Sequence, residues 1–154
     1  MKTIPMIAAT WLAFAVSAVA GVLEFRTVAQ PGEDFAIELP LGEESLKLRA
    51  PEDLNEADLK MASGGFVPDE GNILHLDFNE KGAPKLFKIT KENLGKRLAI
   101  IVNGKVLMAP NVMEPIAGGS GQVPGWESAK EAEEVAATLN EASAKVSKDA
   151  PRPN

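Results

Sequence analysis

The chain has 154 residues, a formal net charge of −6 and no cysteine. Without cysteine there is neither a disulfide nor an acylated lipid anchor, so the fold rests on packing alone. The acidic balance argues against nucleic acid and anionic membrane surfaces as partners.

Residues 1–20 read as a secretory leader. Lys2 supplies a short positive start, the run around Met6 to Val16 is almost wholly apolar, and Ala18-Val19-Ala20 forms an A-x-A site followed by Gly21. Cleavage is expected after Ala20, which places the mature chain in the periplasm; the alternative is inner-membrane anchoring through an uncleaved N-terminal helix. The apolar run falls short of the ~20 residues that span a bilayer. Residues 21–142 are expected to form a single domain and residues 143–154 a flexible tail.

The first strand of that domain is expected at Val22, Leu23, Phe25 and Val28, with Glu24 and Arg26 alternating outward. Phe35 to Leu39 and Leu46 to Arg49 alternate as well, and the turn-rich Pro40 to Glu44 joins them as a hairpin. Pro51 to Ala57 is polar, and Asp58 to Val67 reads as a weaker strand loosened by Gly64-Gly65. From Ile73 to Phe78 the alternation is clear. Leu74, Leu76 and Phe78 form the core face, and Ile73, His75 and Asp77 the other.

Pro84 is tolerated only in the first turn of a helix, so the spacing of Ala83, Leu86, Phe87, Thr90 and Leu94 predicts a helix over Lys81 to Leu94, with Gly95 as its left-handed C′ residue. Lys81, Lys85, Lys88, Lys91, Lys96 and Arg97 alternate with Glu80 and Glu92, as on a solvated face. Leu98 to Val102 is a continuous apolar run, the pattern of a strand covered on both faces. Asn103-Gly104 is a strong hairpin signal, and Lys105 to Met108 is the returning strand, stopped by Pro110. Val112 to Ile116 extends again, Gly118 to Gly121 turns, and Gln122-Val123 forms a short strand. Ser128 to Glu131 reads S-x-x-E, a capping box that opens a last helix over Ser128 to Ala142 with a stripe of small apolar residues. The fold class expected is therefore α+β: a mostly antiparallel sheet with two main helices packed on one face.

The ordered motifs from Leu54 to Asn140 resemble the head subdomain of the first periplasmic domain of the SecD and SecDF protein-export membrane proteins. The resemblance rests on Phe78 ending a strand, Gly82-Ala83 opening a helix, and Thr90, Asn93 and Gly95 closing it. It continues through the strand Lys96 to Ile100, Gly104-Lys105-Val106, Ala109-Pro110, Pro115-Ile116, Gly118-Gly119 and the capped helix from Ser128 to Leu139. Val22 to Arg49 corresponds less well. The resemblance implies a non-catalytic domain that contacts unfolded or partner polypeptide, or a translocase or other envelope protein, during export or envelope assembly. It does not carry over proton-driven pumping, which in that family resides in a membrane bundle.

Candidate chemistry is sparse. His75 with Asp77 offers two ligands on one face, too few for a metal site or a catalytic constellation. Gly118-Gly119-Ser120-Gly121-Gln122 misses the G-x-S-x-G elbow at its last position. Trp126, directly before a helix cap, reads as a packing residue rather than a stacking platform. No catalytic residue, metal or cofactor is expected. Met108, Val112, Met113, Gly118, Gly119 and Trp126 are the candidate partner-contact residues, Met being adaptable at peptide surfaces. A periplasmic small-ligand or carbohydrate-binding role, on the His75 face or the Gly118 to Gly121 loop, is the second reading.

Overall fold

A computed structural model describes residues 21–149. The expected leader and the last five residues lie outside the described residues.

The fold is the α+β class expected, mostly antiparallel with two main helices, and its strands are divided between two sheets. The larger contains β1 (Leu23–Val28), β2 (Ile37–Leu41), β3 (Glu44–Pro51), β6 (Leu98–Val102) and β7 (Lys105–Met108) in the order β2-β3-β1-β6-β7. The smaller contains β4 (Leu59–Val67), β5 (Gly71–Phe78) and β8 (Ser120–Pro124) in the order β4-β5-β8. A 3₁₀ turn, Glu56–Asp58, joins β3 to β4, and the helices are α1 (Gly82–Glu92) and α2 (Ala129–Asp149).

Local chemistry explains the elements. Asn55 and Asp58 form a reciprocal cap on the 3₁₀ turn: Asn55 Oδ1 accepts from Ala57 N, and Asp58 Oδ2 accepts from Asn55 N. Asn79 Oδ1 accepts from the N–H groups of Lys81 and Gly82 and so starts α1, with Pro84 in its first turn. Gly95 ends it at φ 76°. Asn103 and Gly104 both have positive φ, 50° and 77°, the paired left-handed turn that joins β6 to β7.

Residues of β6 alternate between two cores. Leu98, Ile100 and Val102 join Leu23, Phe25, Leu74, Leu76 and both helices in the main core between the sheets. Ala99 and Ile101 join Leu46, Leu48 and Val106 in a second core on the other face. There the edge strands β2 and β7 approach each other, so the larger sheet curls around its own interior. That curl overturns the outward reading of Glu24 and Arg26. They lie opposite Ile101 and Ala99, on the second-core face, and are only 9% exposed. Arg26 Nε donates to Glu24 Oε2 at 2.8 Å and Nη1 to Arg49 O at 3.0 Å, so the charges are paired where alternation suggested solvent.

Helix α2 lies across β4 at backbone contact. A Cβ on Gly64 would come within 2.3 Å of Glu133 N, so only glycine fits. Ala132, Ala136 and Leu139 form the buried stripe, and the Asn140 side chain pairs with both Ala62 N and Ala62 O, covering an open strand edge. The helix runs past Ala142, where the apolar spacing ends, to Asp149. Ser143 Oγ donates to Leu59 O, and Lys145 pairs with Glu141 four residues back, so polar contacts continue what apolar spacing does not. Among the described residues no helix is long and apolar enough to cross a membrane.

Candidate functional site

The pairing expected to stop at Pro110 runs past it: Pro110 O accepts from Leu98 N and Asn111 forms an antiparallel bridge with Arg97, after which the chain continues as a strap over residues 111–117 beside α1. The strap is tied at both ends. Val112 N donates to Lys96 O and Gly95 N to Val112 O, while Ile116 N donates to Thr90 Oγ1 at 2.9 Å. The Thr90 hydroxyl, fully buried, donates in turn to Leu86 O at 2.7 Å, so one side chain serves both helix and strap.

Under the strap the two sheets do not close. A cavity of about 320 Å³ remains between their core faces, with Phe25 and Ile100 from the larger sheet, Phe78 from the smaller, Leu86 from α1, and Val112 and Ile116 from the strap. Its lining is mainly apolar, with polar character from the buried Thr90 and from the exposed Asn111, Glu114 and Gln122. Phe87, one turn before Thr90 on α1, and Leu94, just past the end of the helix, are exposed as well. Met113, 83% exposed, follows Val112, which is hydrogen-bonded to the residue after Leu94. The result is an apolar groove bordered by the exposed Met113 and a few polar residues, and apolar surface of this kind is seldom exposed without a contact to make.

The expected contact residues do not form one site. Val112 and Met113 line the groove. Met108 lies on β7 opposite Ile100 and packs on the main core. Gly118 is exposed in the following loop, whereas Gly119, φ 70°, is buried: its carbonyl accepts from Phe78 N, and a Cβ there would stand 2.8 Å from Ala83 Cβ. Trp126 packs partly buried on the core and donates Nε1–H to Val123 O at 2.8 Å, in a separate depression. Leu86, Thr90, Phe25 and Phe78, which build the groove, read in the sequence only as core positions.

On the opposite face of the smaller sheet, Asp77 Oδ1 accepts from Ser120 Oγ at 2.6 Å and lies 3.1 Å from His75 Nε2. The Ser120 hydrogen bond, with His75 beside it, holds the Asp77 carboxyl below its usual range. The order is wrong for nucleophile activation, because the carboxylate stands where the imidazole would be needed. Among the described residues no group of three His, Cys, Asp or Glu side chains is placed to hold a metal ion.

These features agree with the proteins the chain is similar to. The family described as "SecDF, P1 head subdomain" matches residues 35–146, which extends the resemblance back over β2 and β3. The chain is 42% identical over 93 residues to the protein translocase subunit SecD of Acidaminococcus fermentans, covering 60% of this chain and 22% of that protein. It is 36% identical over 141 residues to the protein translocase subunit SecDF of Thermus thermophilus, covering 81% and 19%. Among solved structures, one described as a membrane component SecDF that enhances protein export superposes with a TM-score of 0.65 at 31% identity, over 77% of this chain and 61% of that one. SecDF in its super-membrane-facing form gives 0.64 at 32% identity, over 77% and 18%. The chain thus spans about a fifth of the length of these curated relatives, and the part it shares is the head. It belongs to the SecDF P1 head subdomain family.

Proposed function

We propose that this protein is a non-catalytic periplasmic interaction module, released by cleavage after Ala20, which holds apolar side chains of unfolded or partner polypeptide during protein export or envelope assembly. Its partner is either the exported polypeptide itself or an envelope protein of the translocase. The observation that carries this reading is the apolar groove under the 111–117 strap, with Met113 in its lining 83% exposed.

Magnitudes favour a transient hold. Seating one leucine-sized side chain in such a groove contributes ~1.5–3 kcal/mol, less than the ~4 kcal/mol of a millimolar complex. Stable capture needs the rim as well, and release stays fast. That suits a handling step in which the client must move on. The domain by itself has no means of coupling proton flow, so it acts by contact alone.

Fluorescence anisotropy with an unfolded, leucine-rich peptide and a length-matched polar peptide tests the reading. The apolar peptide is expected to bind at least tenfold more tightly, and Met113→Asp to remove most of that preference. Equal affinity for the two peptides, or no binding of either, would rule the proposal out.

A further inference from the structure

The Glu56 carboxylate, at the start of the 3₁₀ turn, reaches back across the beginning of β1. Oε1 accepts the Val22 N–H at 3.2 Å and Oε2 the Leu23 N–H at 3.1 Å. Gly21 comes against the same group: a Cβ at position 21 would stand 2.9 Å from Oε2, so a side chain there would push the carboxylate aside. The Gly21 nitrogen is about 2.5 Å from that Cβ position by standard geometry, hence within roughly 5.4 Å of the oxygen. No ion pair among the described residues uses Glu56. A half-buried carboxylate therefore faces the first residues of the domain with two amides and no cation.

We infer that Glu56 is the seat of the chain's own amino terminus once the leader is removed. The inference rests on the cleavage after Ala20 proposed above. A signal peptidase hydrolyses the bond between the Ala20 carbonyl carbon and the Gly21 nitrogen; water supplies the hydroxyl to Ala20 and a hydrogen to the nitrogen, which takes up a further proton near neutral pH. Before cleavage the nitrogen at Gly21 is a neutral amide. Afterwards it is an ammonium beside an unpaired carboxylate, and a charge-assisted bond joins the two amides already there. Glycine at the first mature position leaves free the space beside Glu56 that a side chain would occupy.

The consequence is a fold that tightens on release. Glu56 belongs to the segment that links the two sheets, so the new pair ties β1, in the middle of the larger sheet, to the connection that leads into the smaller one. The precursor lacks that tie while it is still in transit.

Two measurements test this on the chain beginning at Gly21. Urea unfolding is compared for free and N-acetylated amino termini, each with Glu56 and with Glu56→Gln, which keeps a carbonyl acceptor for the strand amides. Acetylation is expected to raise the equilibrium constant for unfolding by about two- to fivefold with Glu56 present, and to have almost no effect in the Glu56→Gln chain. An equal effect in both, or none in either, overturns the seat. The intact mass of the exported protein separately reads the cleavage: a first residue other than Gly21 overturns the processing step, whatever the acetylation series shows.

Discussion

The two helices close the same core in opposite ways. On the α2 side everything is small and tight: the backbone of Ala132 and Glu133 faces Gly64 across a gap that excludes even a methyl group, and Asn140 seals the edge of β4. On the α1 side, Leu86 and Ile89 reach the core but the strap stands off, leaving about 320 Å³ between the sheets. One side is packed at backbone contact, and the other leaves a space, which is where the proposed contact is placed.

Substitutions should separate the two sides by size of effect. Gly64→Val drives a side chain into the α2 backbone and is expected to cost at least ~3 kcal/mol in chemical denaturation, because helix and strand must part. Arg26→Leu, which leaves the Glu24 carboxylate unpaired in the curl of the larger sheet, should cost ~3 kcal/mol; its position at the mouth of a cleft puts it at the low end for buried pairs. Thr90→Val keeps the shape but removes the hydroxyl that holds the strap, and an expected loss of ~1–2 kcal/mol should come with faster amide exchange at Ile116.

Smaller effects follow on the surface. Ser120→Ala removes the hydrogen bond that holds Asp77 low, so its carboxyl should titrate closer to the ordinary value in an NMR pH series. Asp77 is depressed in the folded chain, so its contribution to stability is present above the unfolded pKa and fades as pH falls through the folded one. The variant should lose part of that acid-side dependence, the part due to His75 remaining. Met113→Asp, at a position 83% exposed, should leave the denaturation midpoint within ~0.5 kcal/mol of the parent while abolishing the peptide preference.

Local chemistry was legible in the sequence wherever a residue had few alternatives. Pro84 admitted only a first helical turn, Gly95 and Asn103-Gly104 marked left-handed backbone, and the unbroken run Leu98 to Val102 announced a strand with two covered faces. Pairing between distant strands was not legible. Alternation around Leu23 sends Glu24 and Arg26 to the face opposite the main core, which is correct, but only the curl of β2 towards β7 makes that face a second interior. For the groove, Val112 and Met113 were visible because apolar residues after a proline expected to end a strand have no obvious place to go. Phe25, Phe78, Leu86 and Thr90 come from separate elements and carry ordinary core spacing, so nothing local distinguishes residues that fill a core from those that border a gap in it.

The contrast between the two sides can be read in one experiment. Phe66, 68% exposed on β4, and Met113 on the strap are both large, apolar and open to solvent, but only Met113 borders the groove. A photo-reactive phenylalanine analogue placed at each position in turn, in the presence of an unfolded apolar polypeptide, should give strong crosslinks from position 113 and background from position 66. Equal crosslinking from both would mean that exposed apolar surface alone attracts the polypeptide, and would contradict the assignment of the groove under the strap as the contact site.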